Sequence, residues 1–111
     1  MAEYGEWNRK GATLSDKTSK KEYGVDRDFI VKGIRAGKLE YREGVIWGNP
    51  YLRLLRNQLE QYIAEELGQD RLSNVKKKTE LRKIKKEIAN LKKKLNELQA
   101  RRMDLEEQIG K

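Results

Sequence analysis

From Leu81 onward the chain repeats leucine and isoleucine at alternating three- and four-residue steps, and this pattern constrains the fold more than any other feature. With Leu81 at heptad position a, the a positions are Leu81, Ile88, Leu95, Arg102 and Ile109. The d positions are Ile84, Leu91, Leu98 and Leu105, so eight of the nine seam positions are apolar. Such a stripe, ~42 Å long at a rise of ~1.5 Å per residue, cannot be buried within one helix. The sequence therefore predicts a coiled coil over residues 81–111 and requires a partner helix for it.

Edge charges bear on orientation. A parallel dimer pairs Glu80 with Lys85, Glu87 with Lys92, Lys94 with Gln99 and Arg101 with Glu106, so three pairs attract and none repels. An antiparallel pair centred near residue 95 opposes Lys94 with its own copy, although it matches Glu87 with Arg101. Each exposed pair contributes only ~0–1 kcal/mol. Mixed Leu and Ile at a and d leaves trimers and tetramers open, whereas Arg102, which must snorkel from an a position, favours few strands. A parallel homodimer is the expectation.

Composition narrows the chemistry. The 111 residues contain 26 Lys+Arg against 18 Asp+Glu, no His and no Cys. Without cysteine there are no disulfides, thiolate nucleophiles or cysteine-built metal sites; without histidine the commonest general base and metal ligand is missing. The chain is read as a non-enzymatic binding protein with no cofactor, no metal and no small-molecule substrate. It shows no membrane span and no signal-peptide core, which suggests a cytoplasmic protein, nucleoid-associated in a bacterium. The Lys-rich segment is compatible with nuclear import.

The net charge of +8 is unevenly placed. Residues 1–12 sum to zero, and residues 13–68 hold ten basic and nine acidic side chains. Residues 69–111 hold fourteen basic and seven acidic, with the excess concentrated between Lys76 and Lys94.

Upstream of the heptads, local signals divide the chain further. Residues 1–12 lack periodicity and read as a flexible arm that packs loosely. Residues 13–68 read as one small domain, residues 69–80 as a basic junction. Ser19-Lys20-Lys21-Glu22 has the spacing of a capping box, and Gly24 suits the end of a short helix. Asp26 is placed to cap a second helix bearing Phe29, Ile30 and Ile34 on one face, with Gly33 allowing close approach and Gly37 ending it. Alternation at Leu39–Arg42, a Glu43-Gly44 turn and Val45–Trp47 predict a β-hairpin. Pro50 then suits the first turn of a third helix carrying Leu52, Leu55, Leu59, Ile63 and Leu67 up to Gly68. The fold expected is mainly α: a small winged helix-turn-helix head with a short β-hairpin, followed by a long coiled-coil helix.

Short motifs carry a resemblance. Ser19-Lys20-Lys21-Glu22-Tyr23 with Asp28-Phe29-Ile30, and Trp47-Gly48-Asn49 with Tyr51-Leu52-Arg53-Leu54, resemble segments in the DNA-binding domain of xeroderma pigmentosum group A-type repair proteins. Val25 to Leu39 resembles the recognition helix and wing entry of excisionase and MerR-type winged domains, and phage terminase small subunits follow a similar head with a dimerising helix. The likeness covers residues 14–68. The chain lacks the four-cysteine zinc subdomain of the repair group, so what the resemblance implies is a DNA-binding fold rather than a repair role.

On that reading the second helix enters a duplex major groove, presenting Arg27, Val31, Lys32 and Arg35 to bases. Lys17, Lys20 and Lys21 on the first helix, and Lys38 and Arg42 on the wing, would hold phosphates. Lys76, Lys77 and Lys78 lie where the seam fails and would meet DNA if two helices forked there. The competing view makes these side chains ordinary solvated charges. Trp47 and Tyr51 are expected to fill the core, with base stacking the alternative. The expected function is a dimeric DNA-binding protein, such as a regulator or a phage-type architecture factor. The alternative is an adaptor that uses the coiled coil to bind a protein partner.

Overall fold

The computed structural model describes residues 4–110. The chain is mainly helical, with a small three-stranded antiparallel sheet and a long C-terminal helix. In order the elements are α1 (Tyr4–Asn8), β1 (Thr13–Ser15), α2 (Asp16–Tyr23), α3 (Arg27–Arg35), β2 (Tyr41–Ile46), β3 (Asn49–Leu55), α4 (Arg56–Leu67) and α5 (Gln69–Gly110). Two compact units result, Met1–Thr79 (the head) and Glu80–Lys111, and α5 contributes its first turns to the head.

The helix–turn–helix is built by its caps. Ser15 Oγ accepts the Thr18 N–H at 3.1 Å and Gly24, at φ 71°, closes α2. The capping box expected at Ser19–Glu22 is therefore misplaced by one turn. Ser15 offers the same hydroxyl earlier, at the end of β1, and Ser19 is fully buried with its own hydroxyl donating to the Ser15 carbonyl at 2.8 Å. Asp26 does cap α3, its Oδ1 accepting the Phe29 N–H at 2.9 Å. Ile30 on α3 is completely buried, and a Cβ on Gly33 would fall 2.7 Å from Leu39 and 2.8 Å from Tyr62. Only glycine lets α3 lie this close to α4.

The hairpin runs further than expected. Its turn is Trp47-Gly48, not Glu43-Gly44, with Ile46 opposite Asn49 and Val45 opposite Pro50. Both turn residues have positive φ, 53° and 80°, the type I′ geometry whose twist matches that of the flanking strands. Pro50 lies in β3 and does not start a helix. Because ladder pairs alternate from the turn, its position is a non-hydrogen-bonded one towards β2. On its other side β1 reaches only Arg53 to Leu55. Sheet order is β1-β3-β2, and β1 was not foreseen as a strand.

The third helix starts at Arg56, six residues later than Pro50. Leu52 and Leu54 belong to β3 and point their buried side chains into the core in strand alternation, with Arg53 between them half-buried. Around them pack Leu14, Ile30, Leu39, Leu59 and Ile63, and Leu72 of α5 closes the cluster.

The loosely packed arm expected at residues 1–12 is also corrected over its described part; residues 1–3 lie outside the described residues. Trp7 on α1 is 3% exposed, with the Arg42 guanidinium 4.4 Å above its ring and Arg53 donating to its carbonyl at 2.6 Å. Asn57 donates to Glu6 at 3.0 Å. An indole is large enough to anchor a five-residue helix that has no periodicity of its own.

In the second unit every described residue is exposed in the single chain. Lys111, the last residue of the expected coiled coil, lies outside the described residues.

Candidate nucleic-acid interface

The two faces of α3 differ sharply. Ile30 and Gly33 face the core, while Arg27, Lys32 and Arg35 are exposed and Val31 is half-buried, as a period of about 3.6 residues requires. Asp28 lies exposed on the same outward arc. Arg27 reaches Asp16 at 3.9 Å, with its own side chain 62% exposed. An open groove beside the start of α3 is lined by Asp16, Lys17, Lys20, Asp26, Arg27 and Asp28, three acids and three bases. Its charge is balanced, so it does not concentrate anions.

The other residues expected to contact DNA are dispersed. Lys17, Lys20 and Lys21 are exposed on α2. Lys38 pairs with Glu65 at 3.5 Å, and Arg42 is the cation stacked on Trp7. Lys76 pairs with Glu60 at 3.2 Å, whereas Lys77 and Lys78 are exposed. Lys76, Lys77 and Lys78 lie on turns of α5 that are fastened to the head. Leu72 is buried, Val75 packs on the core, and Thr79 Oγ1 donates to the Glu22 carbonyl.

That fastening belongs to a polar network that sequence reasoning missed. Tyr23 donates its phenol hydrogen to Glu60, and Arg56 donates to the Tyr23 oxygen at 2.9 Å and to Glu22 at 3.2 Å. Burial, then the bond to Glu60, pushes the Tyr23 phenol well above the usual tyrosine range. Its partners are up to 37 residues apart in sequence, and no local pattern announces them.

Trp47 was expected in the core and is instead 96% exposed at the hairpin tip, beside exposed Val45 and Ile46. The local signal was weak: Gly48 suits the second turn position, but Trp47 at positive φ stands where such turns favour Asn, Asp or Gly. Tyr51 is not in the core either: it is half-buried on the face of β3 opposite Leu52 and Leu54, with its ring over Gly44, where a Cβ would collide with it.

The heptad positions all lie in α5. Leu81, Ile84, Ile88, Leu91, Leu95 and Leu98 are 45–58% exposed, Leu105 is 43% and Ile109 82%. Arg102 forms a 3.5 Å ion pair with Glu106 one turn on, both about two-thirds exposed.

Among the described residues no helix is long and apolar enough to cross a membrane, and no acidic cluster could hold a metal ion. Comparison with protein-family models, curated proteins and solved structures returns no match for this chain.

Proposed function

We propose that the chain is a non-enzymatic, dimeric duplex-DNA-binding protein, with winged helix-turn-helix heads joined by a parallel coiled coil. The observation that carries this reading is α3: a capped helix whose inner face is Ile30 and Gly33 and whose outer face is Arg27, Val31, Lys32 and Arg35. It follows α2 across a tight glycine turn and precedes a hairpin, the order in which such a head presents a recognition helix and a wing. Dimerisation couples two individually weak sites. Lys32→Ala with Arg35→Ala should weaken duplex binding by about 30-fold or more while the dimer persists, since two base contacts are removed and each is worth about 1–3 kcal/mol. Anisotropy titration with sedimentation checks both; unchanged affinity would remove α3 from the interface.

One observation favours a second reading, an adaptor. The apolar tip formed by Val45, Ile46 and Trp47 is a surface suited to a protein partner, and residues 13–68, the larger part of the head, are almost neutral. Trp47→Ser would then abolish partner capture without altering DNA affinity.

A further inference from the structure

A concentrated run of positive charge lies beyond the head. Between Glu80 and Lys94, α5 carries seven basic and two acidic side chains in fifteen residues, a span of about 21 Å along the helix. The remainder, 95–110, reverses sign with two basic and four acidic. The second unit is thus polar along its length. Within the basic half the heptad sorts the cations by role. Lys85 and Lys92 occupy e, where Glu80 and Glu87 of a parallel partner helix offset them. Arg82, Lys83, Lys86 and Lys93 occupy b, c, f and f, away from the seam, and all four are exposed.

We infer that this outward face, Arg82, Lys83, Lys86 and Lys93, is on each helix of the coiled coil a second, sequence-independent binding site for the phosphate backbone of duplex DNA. This rests on the reading that the chain binds duplex, and it assigns most of the electrostatic affinity to α5 rather than to α3. Charge complementarity selects the occupant. A duplex presents one phosphate charge per about 1.7 Å of axis, so a cationic face about 17 Å long, from Arg82 to Lys93, spans roughly ten of them. A membrane surface fits less well, because the apolar face that would enter the headgroup region is the coiled-coil seam. Lysine is also the suitable residue here: a flexible point charge on a long stem grips phosphates without demanding a base sequence.

The test is the salt dependence of binding to a random-sequence duplex of about 25 base pairs, because each phosphate contact adds about 0.9 to the slope of log affinity against log salt. Lys83→Gln, Lys86→Gln and Lys93→Gln combined leave every a, d, e and g position intact. The full-length triple variant should remain dimeric by sedimentation and lose about 3 units of slope, counting one contact from each substituted side chain of the helix that meets the duplex. Its affinity at about 50 mM salt should fall at least tenfold, and the deficit should narrow as salt rises. The variant with Lys32→Ala and Arg35→Ala, run in parallel, separates the two proposals. If the triple variant binds like the parent while the α3 variant fails, the backbone site on α5 is overturned and the head reading stands. If only the triple variant fails, the backbone site stands and the α3 reading falls. Absence of duplex binding by the parent overturns both. Equal competition by polyglutamate and duplex would reduce the face to a generic polyanion or acidic-protein surface, which also overturns the proposal.

Discussion

Leu59 in the head is fully buried within one chain, whereas Leu91 in the second unit keeps 58% of its surface exposed. The contrast holds throughout. The head gathers helices and a three-stranded sheet around its leucines, and even the buried Ser19 hydroxyl finds a carbonyl. The second unit has the same residue types on a single helix, with nothing of its own to cover them. Two kinds of stability follow: one intrinsic to the chain, the other dependent on concentration, because it comes from another molecule.

The largest effect is expected where that dependence is attacked. Leu91→Asp places two carboxylates at the middle of the seam of a dimer, at a cost of several kcal/mol for unpaired buried charge, about enough to leave monomers at micromolar concentration. Sedimentation reads the outcome, and a head that melts unchanged keeps the comparison intact. A variant that still associates would place the association surface outside the heptad seam.

Leu59→Ala attacks the other side. Truncating a fully buried leucine should cost the head about 2–5 kcal/mol. Circular dichroism should then show the head unfolding at lower temperature while a helical transition of unchanged, concentration-dependent midpoint remains. A single shifted transition would mean that the two units melt together.

The smallest effect sharpens the contrast by pH. Tyr23 and Tyr62 both titrate above their ordinary value because they are buried, so their neutral forms stabilise the head. That contribution is complete below about pH 10 and is lost as the pH rises further, since the unfolded chain ionises first. Residues 81–111 contain no tyrosine. Raising the pH from about 9 to about 10.5 should therefore lower the melting temperature of the head of the parent more than that of Tyr23→Phe, with Tyr62 supplying the residual loss. Equal losses in parent and variant would remove Tyr23 from the alkaline response.

The sequence was legible where one physical signal acted alone. Asp26 has no competing cap near α3, Gly24 and Gly37 both take positive φ, and the heptads from Leu81 fit only a helix. It misled where two periods overlapped. Leu52, Leu55 and Leu59 satisfy helical spacing, while Leu52 and Leu54 satisfy strand alternation, and pairing with β2 and β1 decides in favour of the strand up to Leu55. Pro50 suits a helix start or a non-hydrogen-bonded strand position equally well, so it could not arbitrate. The candidate site divides similarly. The outward face of α3 follows from periodicity, but Arg27 with Asp16, Lys38 with Glu65 and Lys76 with Glu60 are tertiary pairings across separate elements. Trp47 was misread because size and apolarity argue for burial, whereas a two-residue turn leaves its side chain no neighbours to pack on.

The chain has two tryptophans, Trp7 at 3% exposure and Trp47 at 96%. Nature has thereby supplied a pair of label-free optical reporters with opposite sensitivities. Iodide should quench the emission of the outer indole almost selectively, and the shielded one, lying beneath a guanidinium, should change colour only when the molecule melts. Occupancy of the hairpin tip and integrity of the fold can be followed in one cuvette, at two wavelengths, without a dye.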